Sequence, residues 1–256
     1  MRFDVVTLFS ELFAPFLELG ITRRAYELGL VDLQFSNPRD FATGRYKRVD
    51  DRPFGGGAGM VMMAEPLAAC VESIWERRAE KAPVVYFSPT GRTINQRIIE
   101  SWSERQSGAI LICGRYEGVD ERFLNHYVDE ELSLGDFVLS GGEIAAMAFL
   151  DAIARLMPSV LNNVQSHECD SFGLALGGLL DSPQYTRPTV WREQAVPEVL
   201  LSGNHAHIER WQRQERLTKT FLNRPDLLDL ARKNKCLSKE DERFLQNIKT
   251  KTDGEH

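Results

Sequence analysis

The chain lacks most of the features that settle a function by composition. Its 256 residues contain four cysteines (Cys70, Cys113, Cys169, Cys236), widely spaced and without a CxxC pair. Neither a disulfide framework nor a zinc site is expected, and a reducing, cytoplasmic setting fits. No apolar run reaches the roughly 18–20 residues of a membrane span, so no membrane partner is expected. The opening MRFDVVTLFSELFAPF carries acids in its apolar stretch and no small-residue cleavage site, unlike a secretory signal. Basic charge is not in excess: 31 Lys plus Arg face 37 Asp plus Glu, a formal net of −6. Domains that hold nucleic acid by bulk charge tend to be basic, so the overall balance argues against that partner. Familiar signatures are missing as well. There is no GxGxxG after a strand, no GxxxxGK[ST], no GxSxG elbow, and no His/Cys/Asp/Glu cluster at metal-ligand spacing.

What is present is a full complement of core. Hydrophobic residues make up 43% and charged residues 27%, ordinary for one or two globular domains. FDVVTLF at residues 3–9 reads as a first strand. VVYFS at 84–88 and AILIC at 109–113 are short continuous apolar runs, the mark of strands buried on both faces. Helical patterns separate them. Thr93 with Gln96 makes a capping box, followed by Ile94, Ile98 and Trp102 at steps of four. Ser140 with Glu143 makes another, opening IAAMAFLDAIARLM, in which Met147, Leu150, Ala154 and Met157 share one face. Strands alternating with helices predict an α/β domain with a largely parallel sheet.

The composition shifts after Pro158. Residues 159–180 are polar and then Gly-rich, suiting a linker or loop. Beyond lies a helical pattern over about 205–222 and a last helix capped by Ser238 with Asp241, predicting a small helical domain. Charge is segregated along the chain. Residues 115–151 hold nine acids and two bases, a net of −7, which leaves +1 for the rest. Residues 203–235 hold eight bases and four acids, a net of +4. The acidity is local, and so is the basicity.

Ligands of open α/β sheets bind outside the carboxyl ends of the strands. Three loops stand out there: Ser88-Pro89-Thr90-Gly91, Gly114-Arg115-Tyr116-Glu117-Gly118, and the run from Ser133 to Gly142, SLGDFVLSGG. Their glycines let backbone approach a ligand closely and bare its N–H and C=O groups, though each loop alone could be ordinary turn chemistry. Gly55-Gly56-Gly57-Ala58-Gly59 fits no nucleotide fingerprint and remains a candidate loop over a site. It follows Arg45, Lys47, Arg48 and Arg52, which suit phosphate or simply a solvated face. Arg155 could act in chemistry or pair with Asp151 one turn away. Asp170 could carry chemistry, cap a helix or close an Asx-turn. Arg210, Arg213, Arg216 and Lys219 recur every three residues, so they spiral about a helix of 3.6 residues per turn. That could wrap a phosphate backbone or be a solvated surface.

These segments resemble the bacterial tRNA (guanine-N1)-methyltransferases, the TrmD family of the SPOUT class. The resemblance is carried by Arg52-Pro53-Phe54-Gly55-Gly56-Gly57-Ala58-Gly59-Met60, Ser88-Pro89, GRYEGVDER from Gly114 and GDFVLSGGE from Gly135. It continues through Asp170-Ser171-Phe172, LLDSPQYTRP from Leu179 and LLSGNH from Leu200. It covers the chain to about residue 245. Ala58 and Ala145 stand where the family commonly has proline, and Phe137 where it has tyrosine. The stretch 173–178 is a few residues longer than usual.

The resemblance implies a SPOUT-type α/β parallel sheet closed by a deep trefoil knot, an exception to the un-knotted rule, plus a small helical C-terminal domain. It implies an S-adenosylmethionine-binding domain over 1–160, a linker over 161–176 and a tRNA-binding domain over 177–256. The cofactor contacts implied are Tyr86, Ser88, Pro89, Gly114, Tyr116, Glu117, Gly118, Ser133, Leu134, Gly135, Asp136, Phe137, Val138, Leu139, Gly141 and Gly142. The reaction implied is methyl transfer to N1 of the guanosine at position 37 of tRNA, supporting reading-frame maintenance. The substrate would be tRNA with guanosine at positions 36 and 37. Asp170 matches the family's general base, and Arg155 the cation that stabilises charge on O6. A homodimer with sites at the subunit interface is implied, and a Mg²⁺ requirement for which the sequence shows no dedicated site. Two other classes compete: an RNA-binding protein that keeps the fold without catalysis, and a dinucleotide-dependent oxidoreductase. Retention of Asp170 and the cofactor loops speaks against the first, and the missing GxGxxG against the second.

Overall fold

The computed structural model describes residues 1–105, 107–161 and 170–253. They divide into two compact units, Met1–Asn162 and Asn163–His256. The first unit contains strands β1 (Arg2–Val6), β2 (Asp32–Ser36), β3 (Asp50–Asp51), β4 (Val61–Met62), β5 (Val84–Thr93), β6 (Ala109–Ile112) and β7 (Glu130–Ser133). Its helices are α1 (Ala14–Glu18), α2 (Arg23–Glu27), α3 (Ala64–Glu76), α4 (Gln96–Ser103), α5 (Glu121–Tyr127) and α6 (Glu143–Leu156).

Five strands form one sheet in the order β2-β1-β6-β5-β7, every pair parallel. The apolar runs are continuous because both faces of the sheet are covered. Val5, Val85 and Leu111 pack on one face with Phe149, Ile153 and Trp102. Val6, Val84, Ile110 and Ile112 pack on the other with Leu67, Val71 and Phe123. Alternate residues of one strand thus feed two cores. Phe149 of α6 is the hub of the first core, edge-on to Phe3, Phe87 and Trp102 at 6.3, 5.8 and 5.6 Å. Truncating it to alanine would cost about 3–5 kcal/mol through lost burial and the cavity left behind.

Two helix starts differ from the sequence expectation. Helix α4 is capped by Asn95, whose Oδ1 accepts from the Ile98 amide at 3.1 Å. Thr93 is instead the last residue of β5 and pairs with Ser133. The sheet ladder takes that residue, and asparagine is at least as good a cap. Helix α6 is capped by the backbone of Gly142 with no side-chain bond, and Glu143 turns into the protein. Strands β2 and β7 carry no continuous apolar run. Both are edge strands, and the exposed or half-buried Asp32, Gln34, Glu130 and Glu131 belong there.

The second unit is mainly helical: α7 (Glu198–Leu201), α8 (His205–Asn223), α9 (Pro225–Lys233) and α10 (Lys239–Asp253). Two short antiparallel strands, β8 (Val190–Trp191) and β9 (Gln194–Ala195), precede them. Its core joins Leu179, Leu217, Leu228, Ala231 and Leu245. The expected capping box at α10 is present in both directions. The Ser238 amide donates to Asp241 Oδ2 at 2.8 Å, and the Asp241 amide to Ser238 Oγ at 3.1 Å. Residues 162–169 of the expected linker lie outside the described residues. Residues from 170 on are tied into the second unit. Phe172 donates to the Leu179 carbonyl at 2.9 Å, and Leu176 is buried.

Candidate active site

Because the sheet is parallel, the carboxyl ends of β5, β6 and β7 open on one edge, and the three unusual loops meet there. Strand β5 does not simply stop. Phe87 and Arg92 both register against Leu132, so Ser88–Pro89–Thr90–Gly91 bulges out between them. Gly91 permits this: a Cβ there would lie 2.5 Å from the Leu132 nitrogen. Thr90 Oγ1 donates to Glu131 Oε2 at 2.9 Å and fixes the bulge on β7.

The loop after β6 turns through left-handed backbone at Tyr116, φ 61°, and Gly118, φ 135°. The loop after β7 is pinned at its start, where Ser133 Oγ donates to the Gly135 carbonyl and accepts from its amide, both at 3.1 Å. Its far end crosses the second loop, with the Gly142 amide donating to the Gly114 carbonyl at 3.0 Å.

Together these segments enclose a cleft. It is lined by Tyr86, Phe87, Ser88, Pro89, Gly114, Arg115, Tyr116, Glu117, Gly118, Leu132, Ser133, Leu134, Phe137, Val138, Leu139, Ser140, Gly141, Gly142 and Ala145. Of the cofactor residues expected from the sequence, all line it except Gly135 and Asp136, which belong to the same loop. Phe87, Arg115, Leu132, Ser140 and Ala145 were not expected. Phe87, Arg115, Leu132 and Ser140 each adjoin an expected residue in sequence, and Ala145 faces inward from the first turn of α6. The floor is apolar and dry, with Phe87, Leu132 and Ala145 buried. Tyr116, Phe137 and Val138 stand exposed at the rim. Such a cleft, with an apolar floor and bare backbone groups, suits a small ligand with both apolar and polar parts.

Burial pushes the Tyr86 phenol above its usual range, with Glu131 and Glu121 adding to the effect, so it is a neutral hydrogen-bonding group. Its ring packs against Gly114, where a Cβ would lie 2.8 Å from the ring. Burial likewise raises the Cys113 thiol well above its ordinary value, with Glu143 adding to the shift. Cys113 is a core residue and no nucleophile.

The Gly-rich loop 55–59 stands beside this cleft. The Glu117 amide donates to the Met60 carbonyl at 2.9 Å, and the Met62 amide to the Gly118 carbonyl at 2.9 Å. A Cβ on Gly59 would meet the Glu117 carboxylate at 2.4 Å. The preceding Arg45, Lys47, Arg48 and Arg52 are exposed, Arg48 lying 3.3 Å from Asp51.

Arg155 sits in the last turn of α6, half-buried. It does not line the cleft of its own chain. Ala145, which does, is ten residues back on the helix, about 15 Å at 1.5 Å per residue. Asp170 is exposed and belongs to the second unit, where its carbonyl accepts from the Gly173 amide at 3.1 Å. The basic spiral of α8 is only half available. Arg213 donates to Asp241 at 3.1 and 3.0 Å, and Arg216 to Asp181 at 3.4 Å. Arg210 and Lys219 remain exposed. Among the described residues no group of three or more His, Cys, Asp or Glu could hold a metal ion, and no helix is long and apolar enough to cross a membrane.

A parallel sheet with glycine loops crossing at its carboxyl edge defines a cofactor-binding α/β protein. Comparison with known proteins makes the class specific. Residues 1–230 match the family described as tRNA (Guanine-1)-methyltransferase TrmD. A tRNA (guanine-N(1)-)-methyltransferase of Albidiferax ferrireducens is 65% identical over 245 residues, covering 96% of this chain and 98% of the relative. Proteins of the same description are 60% identical in a Polaromonas species, over 97% of both chains, and 50% identical in Pseudomonas putida, over 96% and 95%. The chain belongs to the tRNA (guanine-N1)-methyltransferase TrmD family. With that membership come the SPOUT-type knotted α/β fold, methyl transfer to N1 of guanosine in tRNA, and S-adenosylmethionine as methyl donor.

Proposed function

We propose that the cleft binds S-adenosylmethionine and that the reaction is methylation of N1 of guanosine 37 in tRNA, carried out in the cytoplasm. The carrying observation is the convergence of three separate loops on one cleft, lined by nearly all the residues the family resemblance assigns to the donor. The fit is physical as well. Glycines at 114, 141 and 142 let Tyr86, Arg115 and Cys113 pack where a Cβ would lie, and they bare backbone groups along the wall. When bound, the donor supplies a methyl group from its sulfonium.

The chain's own residues manage the proton and the charge. Guanine N1 carries a hydrogen, which must leave as the new N–C bond forms. Asp170 accepts that proton. Negative charge then moves toward O6, and the Arg155 guanidinium stabilises it. The target base is turned out of its stack to reach the donor. Glu117, next to the cleft, places a carboxylate where a cationic donor tolerates it.

One chain does not assemble this set, since Arg155 lies about 15 Å along α6 from the cleft-lining end. A homodimer with sites completed across the interface answers that. Exposed apolar side chains at Leu12, Leu19, Ile21 and Leu28 supply surface for such a pairing. In this reading residues 1–160 bind the donor, 161–176 form the linker and 177–256 hold tRNA. No step is routed through Mg²⁺. The test is incubation with labelled S-adenosylmethionine and unmodified tRNA carrying guanosine at 36 and 37. N1-methylguanosine at 37 is expected, and its absence would refute the reading.

A further inference from the structure

Glu143 reads in the sequence as part of a capping box, yet the structure buries it and gives it no capping bond. Its side chain is 1% exposed at the N-terminus of α6. Thr7, just past the end of β1, donates its Oγ1 to Glu143 Oε1 at 2.8 Å. Thr7 is fixed in turn, accepting from the Phe9 amide at 3.0 Å. From the other side Arg115 Nε donates to the same oxygen at 3.1 Å, and Nη2 lies 3.0 Å from Oε2. That second contact is an ion pair with poor hydrogen-bond alignment, and Oε2 has no hydrogen-bond partner among the described residues.

Arg115 is equally committed. Its Nη1 donates to the Ser140 carbonyl at 3.1 Å, and its guanidinium lies 4.6 Å from the centre of the Phe9 ring. Arg115 and Ser140 both line the cleft, from two different loops. Gly141 leaves the space for this, since a Cβ there would lie 2.3 Å from Arg115 Nε. The buried carboxylate therefore anchors Arg115, which ties together the two loops that wall the cleft, and is itself braced on Thr7 after β1.

We propose that Glu143 is a positioning residue for the donor cleft, setting the spacing of its two walls through Arg115. The proposal rests on the reading that this cleft takes S-adenosylmethionine. Glu143 does not line the cleft, so it acts through Arg115 and Ser140 alone. A site held to about 0.5 Å needs its supporting bonds locked, and the Glu143 Oε1 bonds to Thr7 and Arg115 provide such support.

The test is calorimetric titration of the full-length protein and its variants with S-adenosylmethionine and with S-adenosylhomocysteine, alongside thermal melting and steady-state kinetics. Glu143→Gln keeps the shape and removes the charge. Thr7→Val keeps the volume but removes both bonds of the hydroxyl, to Glu143 and from the Phe9 amide, and Thr7→Ser keeps the hydroxyl. Loss of a charge-assisted bond predicts about tenfold weaker binding of both ligands for Glu143→Gln and about fivefold for Thr7→Val. Thr7→Ser should bind like the parent. KM for the donor should rise while KM for tRNA stays put. Lower melting temperatures with unchanged donor affinity in Thr7→Val and Glu143→Gln would overturn the proposal and make Glu143 structural. If Glu143→Gln does not fold, the Thr7 pair decides. A parent that binds neither ligand would overturn the reading of the cleft and this proposal with it.

Discussion

The backbone amide of Gly142 donates to the carbonyl of Gly114 at 3.0 Å, and this bond joins two of the three loops that make the cleft. The contact is possible only without a side chain. A Cβ on Gly142 would lie 2.8 Å from the Cα of Cys113, a backbone atom of a fully buried residue. The conformation itself is ordinary, with φ at −77°. Space, not torsion, requires the glycine.

Gly142→Ala is therefore expected to push the loops apart and weaken donor binding by about tenfold or more, since a misplacement of 1 Å costs up to about 100-fold in such sites. Gly118→Ala is the contrast. There the space is open but φ is 135°, so a penalty of about 1–2 kcal/mol in stability is expected from backbone strain. Titration with S-adenosylmethionine and thermal melting of both variants separate the two effects. Equal donor affinity in Gly142→Ala and the parent would contradict the steric account.

Asp241 gives a pH-dependent prediction. Burial pushes its carboxyl up, but hydrogen bonds from Arg213 and from Ser238 outweigh it, and the net result lies below the usual aspartate range. A carboxylate whose pKa is depressed in the folded state adds stability above its unfolded pKa, about 3.9, and loses it as pH falls through the lower folded value. Asp241→Asn should thus destabilise the protein by about 1–3 kcal/mol at pH 7, with the gap to the parent closing below about pH 4. Urea unfolding at both pH values measures this. A gap independent of pH would show that the charge is not what stabilises.

The basic face of α8 should be uneven. Arg213 and Arg216 are spent on Asp241 and Asp181, whereas Arg210 and Lys219 are exposed. Arg210→Ala and Lys219→Ala should each weaken tRNA binding and lower the salt slope by about 1. Arg213→Gln should mainly lower the melting temperature. Filter binding over a range of salt concentrations distinguishes them, and an unchanged slope in both Arg210→Ala and Lys219→Ala would count against this surface.

Much of this was legible in the sequence, for reasons that also mark its limits. VVYF and AILI declare strands because both faces of the sheet are covered, and the Ser238–Asp241 box declares a helix start because both bonds are local. The cleft was legible through its motifs, since the loops carry glycines that long-range crossing demands. What local pattern cannot show is tertiary competition. Thr93 and Glu143 both read as capping residues, yet the ladder to Ser133 takes one and Arg115 with Thr7 takes the other. Arg213 looks like a surface cation until α10 places Asp241 against it. The net charge of −6 misleads for the same reason, because it sums an acidic stretch near the donor cleft with a basic one in the second unit.

The most direct test of the account is Asp170→Asn, assayed for donor binding and for N1-methylguanosine formation on the same preparation. In the proposed reading Asp170 is the general base and takes no part in building the cleft. Donor affinity should stay within about twofold, while turnover falls by about 10²–10⁴-fold. Parallel loss of both would make Asp170 a structural residue, and retained turnover would remove it from the proton transfer altogether.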